Sequence, residues 1–293
     1  FKQPTRLVFR IIKSFNQDCK MASGQQCKTV NKVLLWTAPR CISTAFERAI
    51  MNLKNGKIFH EPYSVVYYFG PQRKSSRYLN DPVQPNATLK EVSKVLAAEY
   101  KKKNFIFSKD MAYYLDGNYD ILRQNGLSEY KHSFLIRNPK KAVPSLYRAS
   151  LNAKKTGWDY FDPEEVGFHE LLELYEFVVK ELDSSPVIID ADDLLESPEE
   201  MMKIYCEATG LVYEKNMTSW EPGAVIPEWE IWDGWHDAVL NSTGLLQKNK
   251  SQAKPMKLEK KASFEQEEVV GSVNDSLKCY DILHEKRLRL KST

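Results

Sequence analysis

The chain has 293 residues, 42% hydrophobic and 28% charged, with a net charge of +3. That length suits one large α/β domain or two small ones with a full core. The small positive excess excludes bulk electrostatic attraction to nucleic acid, and no apolar run of about 18 residues is present to cross a bilayer as a helix. Five cysteines, odd in number and without a Cys-x-x-Cys pair, fit reduced thiols in a cytoplasmic protein better than a disulfide framework or a zinc site.

Phe1 to Lys20 holds five basic residues and one acid with no clear period. It reads as a segment upstream of a start at Met21 or as a basic leader. The domain reading is therefore a disordered or non-native basic segment over 1–30, followed by one α/β domain over 31–293 that ends in a helix.

Val33-Leu34-Leu35-Trp36 is a short apolar run without alternation, as expected of a strand covered on both faces. Beyond it, Ala45, Phe46, Ala49, Ile50 and Leu53 share a helical face. A strand that turns straight into a helix aims free N–H groups and a positive dipole end at whatever lies above the strand tip. Such a point binds phosphate-like anions. Here Arg40 adds a permanently charged planar donor, and Ser43 and Thr44 add hydroxyls. The stretch lacks the Gly and Lys of the nucleoside-triphosphate loop, GxxxxGK[ST]. Thr44 with Glu47 three residues on also matches a plain capping box.

Further along, Lys57-Ile58-Phe59 reads as a second strand with His60-Glu61-Pro62-Tyr63 at its tip. Tyr63 to Asn86 reads as a long lid or binding loop, and Thr88 to Lys103 as a helix. Phe105 to Ser108 is a third strand ending in Lys109-Asp110, and Tyr119 to Gln124 a short helix. Phe134-Leu135-Ile136 is a fourth strand ending in Arg137, with Pro144 opening a helix that puts Ser145 in its first turn. Asp162-Pro163-Glu164-Glu165 reads as a capping box for a helix running to Leu182, and Val187 to Ile189 as a fifth strand. Ser197-Pro198 caps a helix that Gly210 ends. Lys248 to Lys261 is a lysine-rich linker, and Ser263-x-x-Gln266 opens a last helix with Val270, Val273, Leu277 and Tyr280 inward. Alternating strands and helices predict a three-layer, mainly parallel α/β sheet, whose ligands bind beyond the carboxyl ends of the strands. Arg40, His60-Glu61, Lys109 and Arg137 all fall at such ends.

Thr37-x-Pro39-Arg40-x-x-Ser43-Thr44 resembles the 5′-phosphosulfate loop of sulfotransferases that use 3′-phosphoadenosine 5′-phosphosulfate (PAPS). Arg40 stands where cytosolic members carry Lys, and Cys41-Ile42 where they carry Ser-Gly, as in a divergent branch. Arg137 with Ser145 eight residues on resembles the family's 3′-phosphate motif. Asp190 to Pro198 resembles its later strand–helix block, so the likeness covers about Val33 to Gly210. The C-terminal Arg-Lys-Gly of the family is missing.

The resemblance implies a P-loop-like strand–turn–helix, PAPS as co-substrate and adenosine 3′,5′-bisphosphate as product. It assigns nucleotide binding to Ala38, Pro39, Arg40, Cys41, Ile42, Ser43, Thr44, Arg137 and Ser145. It makes Glu61 the first choice of base and His60 the second, since the His that many relatives place after the third strand is absent, and it sets Lys109 at the sulfonate. Cys41 reads as a packing residue. Trp229, Trp232, Trp235 and His236 read as core or acceptor-pocket lining. The implied reaction is sulfuryl transfer to a hydroxyl or amine of a small-molecule acceptor, without a metal, with a homodimer as the possible assembly. The rival is a non-catalytic nucleotide-binding protein on the same fold. A small-molecule kinase is weaker, because no Walker lysine is present.

Overall fold

The structure, a computed structural model, describes residues 30–245 and 264–290. Five strands form one sheet: β1 Asn31–Thr37, β2 Gly56–His60, β3 Phe105–Met111, β4 Lys131–Ile136 and β5 Val187–Asp190. Their order is β2-β3-β1-β4-β5, and every pairing is parallel. β1 is central because Val33 to Trp36 are fully buried from both sides. Helix Ser43–Met51 shares a layer with helix Pro198–Thr209, where Phe46 meets Tyr205 edge-on at 4.7 Å. Helices Pro139–Ser150, Phe168–Glu181 and Phe264–Glu285 pack together in another layer. The expected three-layer parallel architecture is thus observed. The chain enters β1, leaves it toward the β2 edge, and later returns past it to β4. The carboxyl end of β1 is therefore a point where the order of strands reverses, the crevice such sheets use for ligands.

Several local expectations are corrected. Ser64–Phe69, inside the supposed lid, is a helix, and all six of its side chains are buried. The helix after Thr88 stops at Ala97, because Ala98 turns extended and Tyr100 folds back to bury its ring and donate its hydroxyl to the Val95 carbonyl. β3 continues through Lys109 and Asp110 to Met111, so Lys109 is not a strand-end surface lysine but a fully buried one. Tyr119–Arg123 is a 3₁₀ segment.

Pro144 does not open its helix. Asn138 caps it, accepting from the Lys140 N–H at 3.0 Å, with Pro139 at the first position. Ser145 lies in the helix interior and offers its hydroxyl rather than a free first-turn N–H. Asp162 to Glu165 is no capping box either. Pro163–Glu165 is a 3₁₀ turn, Gly167 at φ 73° breaks the chain, and the helix starts at Phe168. Glu165 instead pairs with Arg77. A Cβ on Gly167 would stand 2.8 Å from the Tyr113 ring, so glycine is needed there for space as well as conformation.

Ser197 makes no side-chain cap bond, but Gly210, at φ 75°, ends that helix as expected. In the last helix Val269, Ser276, Cys279, Tyr280 and Leu283 are the buried residues, while Val270 is 38% exposed. Residues 1–29, the lysine-rich stretch and Ser263 lie outside the described residues.

Candidate active site

The first half of the site is the loop Ala38 to Ile42. Arg40 (φ 66°) and Ile42 (φ 62°) both adopt left-handed backbone conformations. That region favours glycine, and a β-branched residue in it is strained by roughly 1–3 kcal/mol. Ile42 precedes the helix Ser43–Met51 without any side-chain cap. The capping-box reading of Thr44 and Glu47 therefore fails: both side chains reach into the site. The turn is flanked by Ala38 and Cys41, both fully buried.

Because β4 lies next to β1, residues 97 and 105 positions away in the chain meet this loop. Arg137 donates to the Arg40 carbonyl at 2.8 Å, and the Arg40 Nε donates to the Ser145 hydroxyl at 3.1 Å. The Arg137 Nε is buried with no partner among the described residues. Neither guanidinium forms an ion pair with a carboxylate among them. Burial, then the charges of Arg137 and Arg148, hold the Arg40 guanidinium below its ordinary range. Two positive groups packed together without an answering acid favour the approach of an anion. Cys41 faces inward, its thiol pushed up to about 12 by burial, so it is not a thiolate.

The second half sits across the loop, at the ends of β2 and β3. Pairing of His60 with Lys109 in the β2–β3 register brings the two side by side. Lys109 contacts the Glu61 carboxylate and lies 3.8 Å from Glu47. Tyr114 donates its hydroxyl to Glu61 at 3.1 Å. Burial pushes the Glu61 carboxyl up, but Lys109, His60 and Tyr114 outweigh it and hold the group below its ordinary value. Glu61 also has φ 47°, locked by its N–H on the Lys109 carbonyl at 2.8 Å and by Ser64 on its own carbonyl.

His60 is held on both nitrogens. Nδ1 is 2.7 Å from Glu47, and Nε2 is 3.1 Å from Nε2 of His236. Glu47 also accepts from the Trp229 indole at 2.9 Å. His236 reaches on to the Thr44 hydroxyl at 3.4 Å through Nδ1. Glu47 and His236 are site residues that the linear reading missed as such. Glu47 was hidden in an apparent cap, and His236 in an aromatic stretch about 176 positions from His60. That stretch is a 3₁₀ segment, Pro227–Trp232, followed by Gly234. A Cβ on Gly234 would fall 1.8 Å from the Lys155 carbonyl, so only glycine lets the backbone pass and deliver Trp235 and His236. Among the described residues, no group of three or more His, Cys, Asp or Glu is placed to hold a metal ion.

Two arginines at the reversal point of a parallel α/β sheet, with buried acid–base groups beside them, form the candidate site. A sulfotransferase-domain family model matches residues 31–255, and the chain belongs to that family. Sulfuryl transfer is the reaction class this membership supports.

Branched-chain-amino-acid aminotransferase-like protein 2 of Arabidopsis thaliana is 28% identical over 213 residues, covering 71% of this chain and 35% of its own length. Its aminotransferase-like protein 1 is 26% identical over 212 residues, with the same coverage. The chain thus spans about 35% of the length of the curated relatives it matches. Among solved structures, the sulfotransferase domain from the curacin biosynthetic pathway aligns with a TM-score of 0.47 at 12% identity, covering 84% of this chain and 99% of that one. Mouse sulfotransferase SULT7A1, complexed with PAP, aligns at 0.46 and 9% identity over 88% of this chain and 89% of its own.

Proposed function

We propose that this protein transfers a sulfuryl group from PAPS to a hydroxyl or amine of a small-molecule acceptor. The observation that carries the reading is the pair Arg40 and Arg137: the Arg137 guanidinium donates to the Arg40 backbone carbonyl, the Arg40 guanidinium donates to Ser145, and neither has a carboxylate partner among the described residues. In this reading the amides from Ala38 to Ile42, with Ser43, Thr44 and Arg40, hold the 5′-phosphosulfate. Arg137 and Ser145 hold the 3′-phosphate. Positioning and charge stabilisation supply most of the rate, since the sulfuryl group passes in line from one oxygen to another.

Lys109 faces the leaving group and the sulfonate. Of Glu61 and His60, the two candidates at the β2 tip, His60 is favoured as the group on which the acceptor's proton comes to rest. Glu61 is neutralised by Lys109, and a carboxyl held that low is a weak proton acceptor near pH 7. His60 has its Nδ1 set by a carboxylate, the arrangement of a base with an orienting group. The domain acts as one unit over 31–293 in a reducing, cytoplasmic setting, in keeping with the free, buried thiols of Cys41, Cys206 and Cys279.

The test is a transfer assay with labelled PAPS and pooled phenols, alcohols and amines. Label appearing on an acceptor, abolished by Arg40→Ala, supports the reading. Tight nucleotide binding with no transfer to any pool would favour the non-catalytic rival.

A further inference from the structure

His60 poses a problem for any mechanism in which it receives a proton directly. Its side chain is fully buried, and both ring nitrogens are occupied, by Glu47 and by His236. A carboxylate only accepts, so Nδ1 of His60 carries a proton, and in the neutral ring Nε2 is then a lone pair. The Nε2–Nε2 bond of 3.1 Å then requires that His236 donate, so His236 carries its proton on Nε2. Its Nδ1 is left as an acceptor, facing the Thr44 hydroxyl across a long 3.4 Å. The less firmly held end of this chain is thus the Nδ1 of His236, buried like His60 but with only the long approach to Thr44, next to the loop proposed to hold the phosphosulfate.

We propose that His236 is the group that takes the acceptor's proton, and that His60 and Glu47 form a relay behind it. This rests on the sulfotransferase reading above. In the step, the acceptor oxygen forms its bond to sulfur while the sulfur–phosphate oxygen bond breaks and that oxygen keeps the electron pair. The acceptor's proton passes to Nδ1 of His236, and the proton on Nε2 of His236 moves to Nε2 of His60. The result is a His60 imidazolium held between Glu47 and Glu61.

The surroundings explain why two histidines are used. His236 faces His60 from β2, Lys109 from β3, Arg40 and Thr44 from the loop and first helix, and the Trp229 ring from its own segment. Burial first, then the positive neighbours His60, Lys109 and Arg40, hold it well below its ordinary value. It stays neutral and ready, but cannot keep a proton. His60 faces Glu47, Glu61, Lys109 and the Trp229 ring, so a proton arriving there meets two carboxylates. The charge therefore ends away from the arginines and next to the acids.

Two measurements test this. In protein labelled with ¹⁵N-histidine, two-bond couplings at pH 8 should show His60 protonated on Nδ1 and His236 on Nε2. A His60 protonated on Nε2 would overturn the relay, whatever the enzyme's activity. In single-turnover assays with labelled PAPS, and with water as default acceptor if no other is found, His236→Gln should slow transfer by about a hundredfold or more. His60→Gln should slow it similarly, and the double variant should be hardly slower than either, because the two act as a unit. The melting-temperature rise with adenosine 3′,5′-bisphosphate should persist in all three. If His236→Gln transfers at more than half the normal rate, or if the two losses multiply, the relay is wrong. Loss of nucleotide binding in the unmutated protein would instead overturn the sulfotransferase reading, and the tautomers would still be read. Should His236→Gln not fold, Gly234→Ala, which must displace the segment carrying His236, should give the same slowing with the nucleotide response retained.

Discussion

The two halves of the site treat charge in opposite ways. At the ends of β1 and β4, Arg40 and Arg137 are packed together, and no carboxylate answers them among the described residues. At the ends of β2 and β3, Lys109 contacts Glu61 and has Glu47 at 3.8 Å, so its charge is balanced from within. The first half is incomplete until an anion arrives; the second is complete already. A ligand should therefore change the stability of the first half, and a mutation that of the second.

The largest effect should come from unbalancing the second half. Lys109→Met leaves Glu61 and Glu47 buried without their cation, a loss of about 3–5 kcal/mol in urea unfolding. Adding Glu61→Gln should restore part of it. The balance also has a pH signature. The folded Glu61 carboxyl lies below its ordinary value, so its contribution to stability is full above the unfolded value of about 4.3. It is lost as pH falls through the lower folded value. Acid unfolding of Glu61→Gln should lack that component, and an unchanged acid limb would show that Lys109 does not neutralise Glu61.

Smaller in stability but large in rate is Arg40→Ala. Charge-assisted contacts of this type are worth roughly 1.5–3 kcal/mol, so turnover should fall at least tenfold. The empty protein should change by only about 1 kcal/mol, because the lost contacts to Ser145 and Trp235 are partly offset by relief of repulsion from Arg137. A large loss of stability without ligand would mean that the arginine pair is structural. The smallest effect belongs to Cys41. With its thiol pushed up to about 12, it should resist iodoacetamide at pH 8 in the folded protein. Cys41→Ala should leave the nucleotide response intact, and rapid alkylation would contradict its place in the core.

The two halves also differ in how much of them the sequence reveals. Strands such as Val33–Trp36 and Val187–Ile189 are readable because a parallel strand buried on both faces is a bare apolar run. The arginine half is readable because its residues sit in two contiguous motifs, Pro39–Thr44 and Arg137–Ser145. The half around Lys109 is readable only in part: His60, Glu61 and Lys109 fall at strand ends, but Glu47 and His236 join them through contacts that no local pattern encodes. Glu47 looks like a cap, and His236 arrives from the far end of the chain. Its only local signal is Gly234, whose necessity becomes visible once the Lys155 carbonyl is seen against it. The misplaced start of the helix at Pro144 has a similar cause. Asn138-Pro139 is the stronger cap, and Pro144, six positions into the helix, mimics a beginning.

The central claim is that Arg40 and Arg137 grip two phosphates of one nucleotide. It is tested most directly by the melting temperature of the protein with adenosine 3′,5′-bisphosphate, AMP, or ATP with Mg²⁺. At 100 times its dissociation constant a ligand adds about 2.7 kcal/mol to the native state, a readily measured rise. The account predicts that rise with the bisphosphate, a much smaller one with AMP, and near-loss of the difference in Arg137→Ala. Stabilisation by ATP with Mg²⁺ but not by the bisphosphate would contradict it.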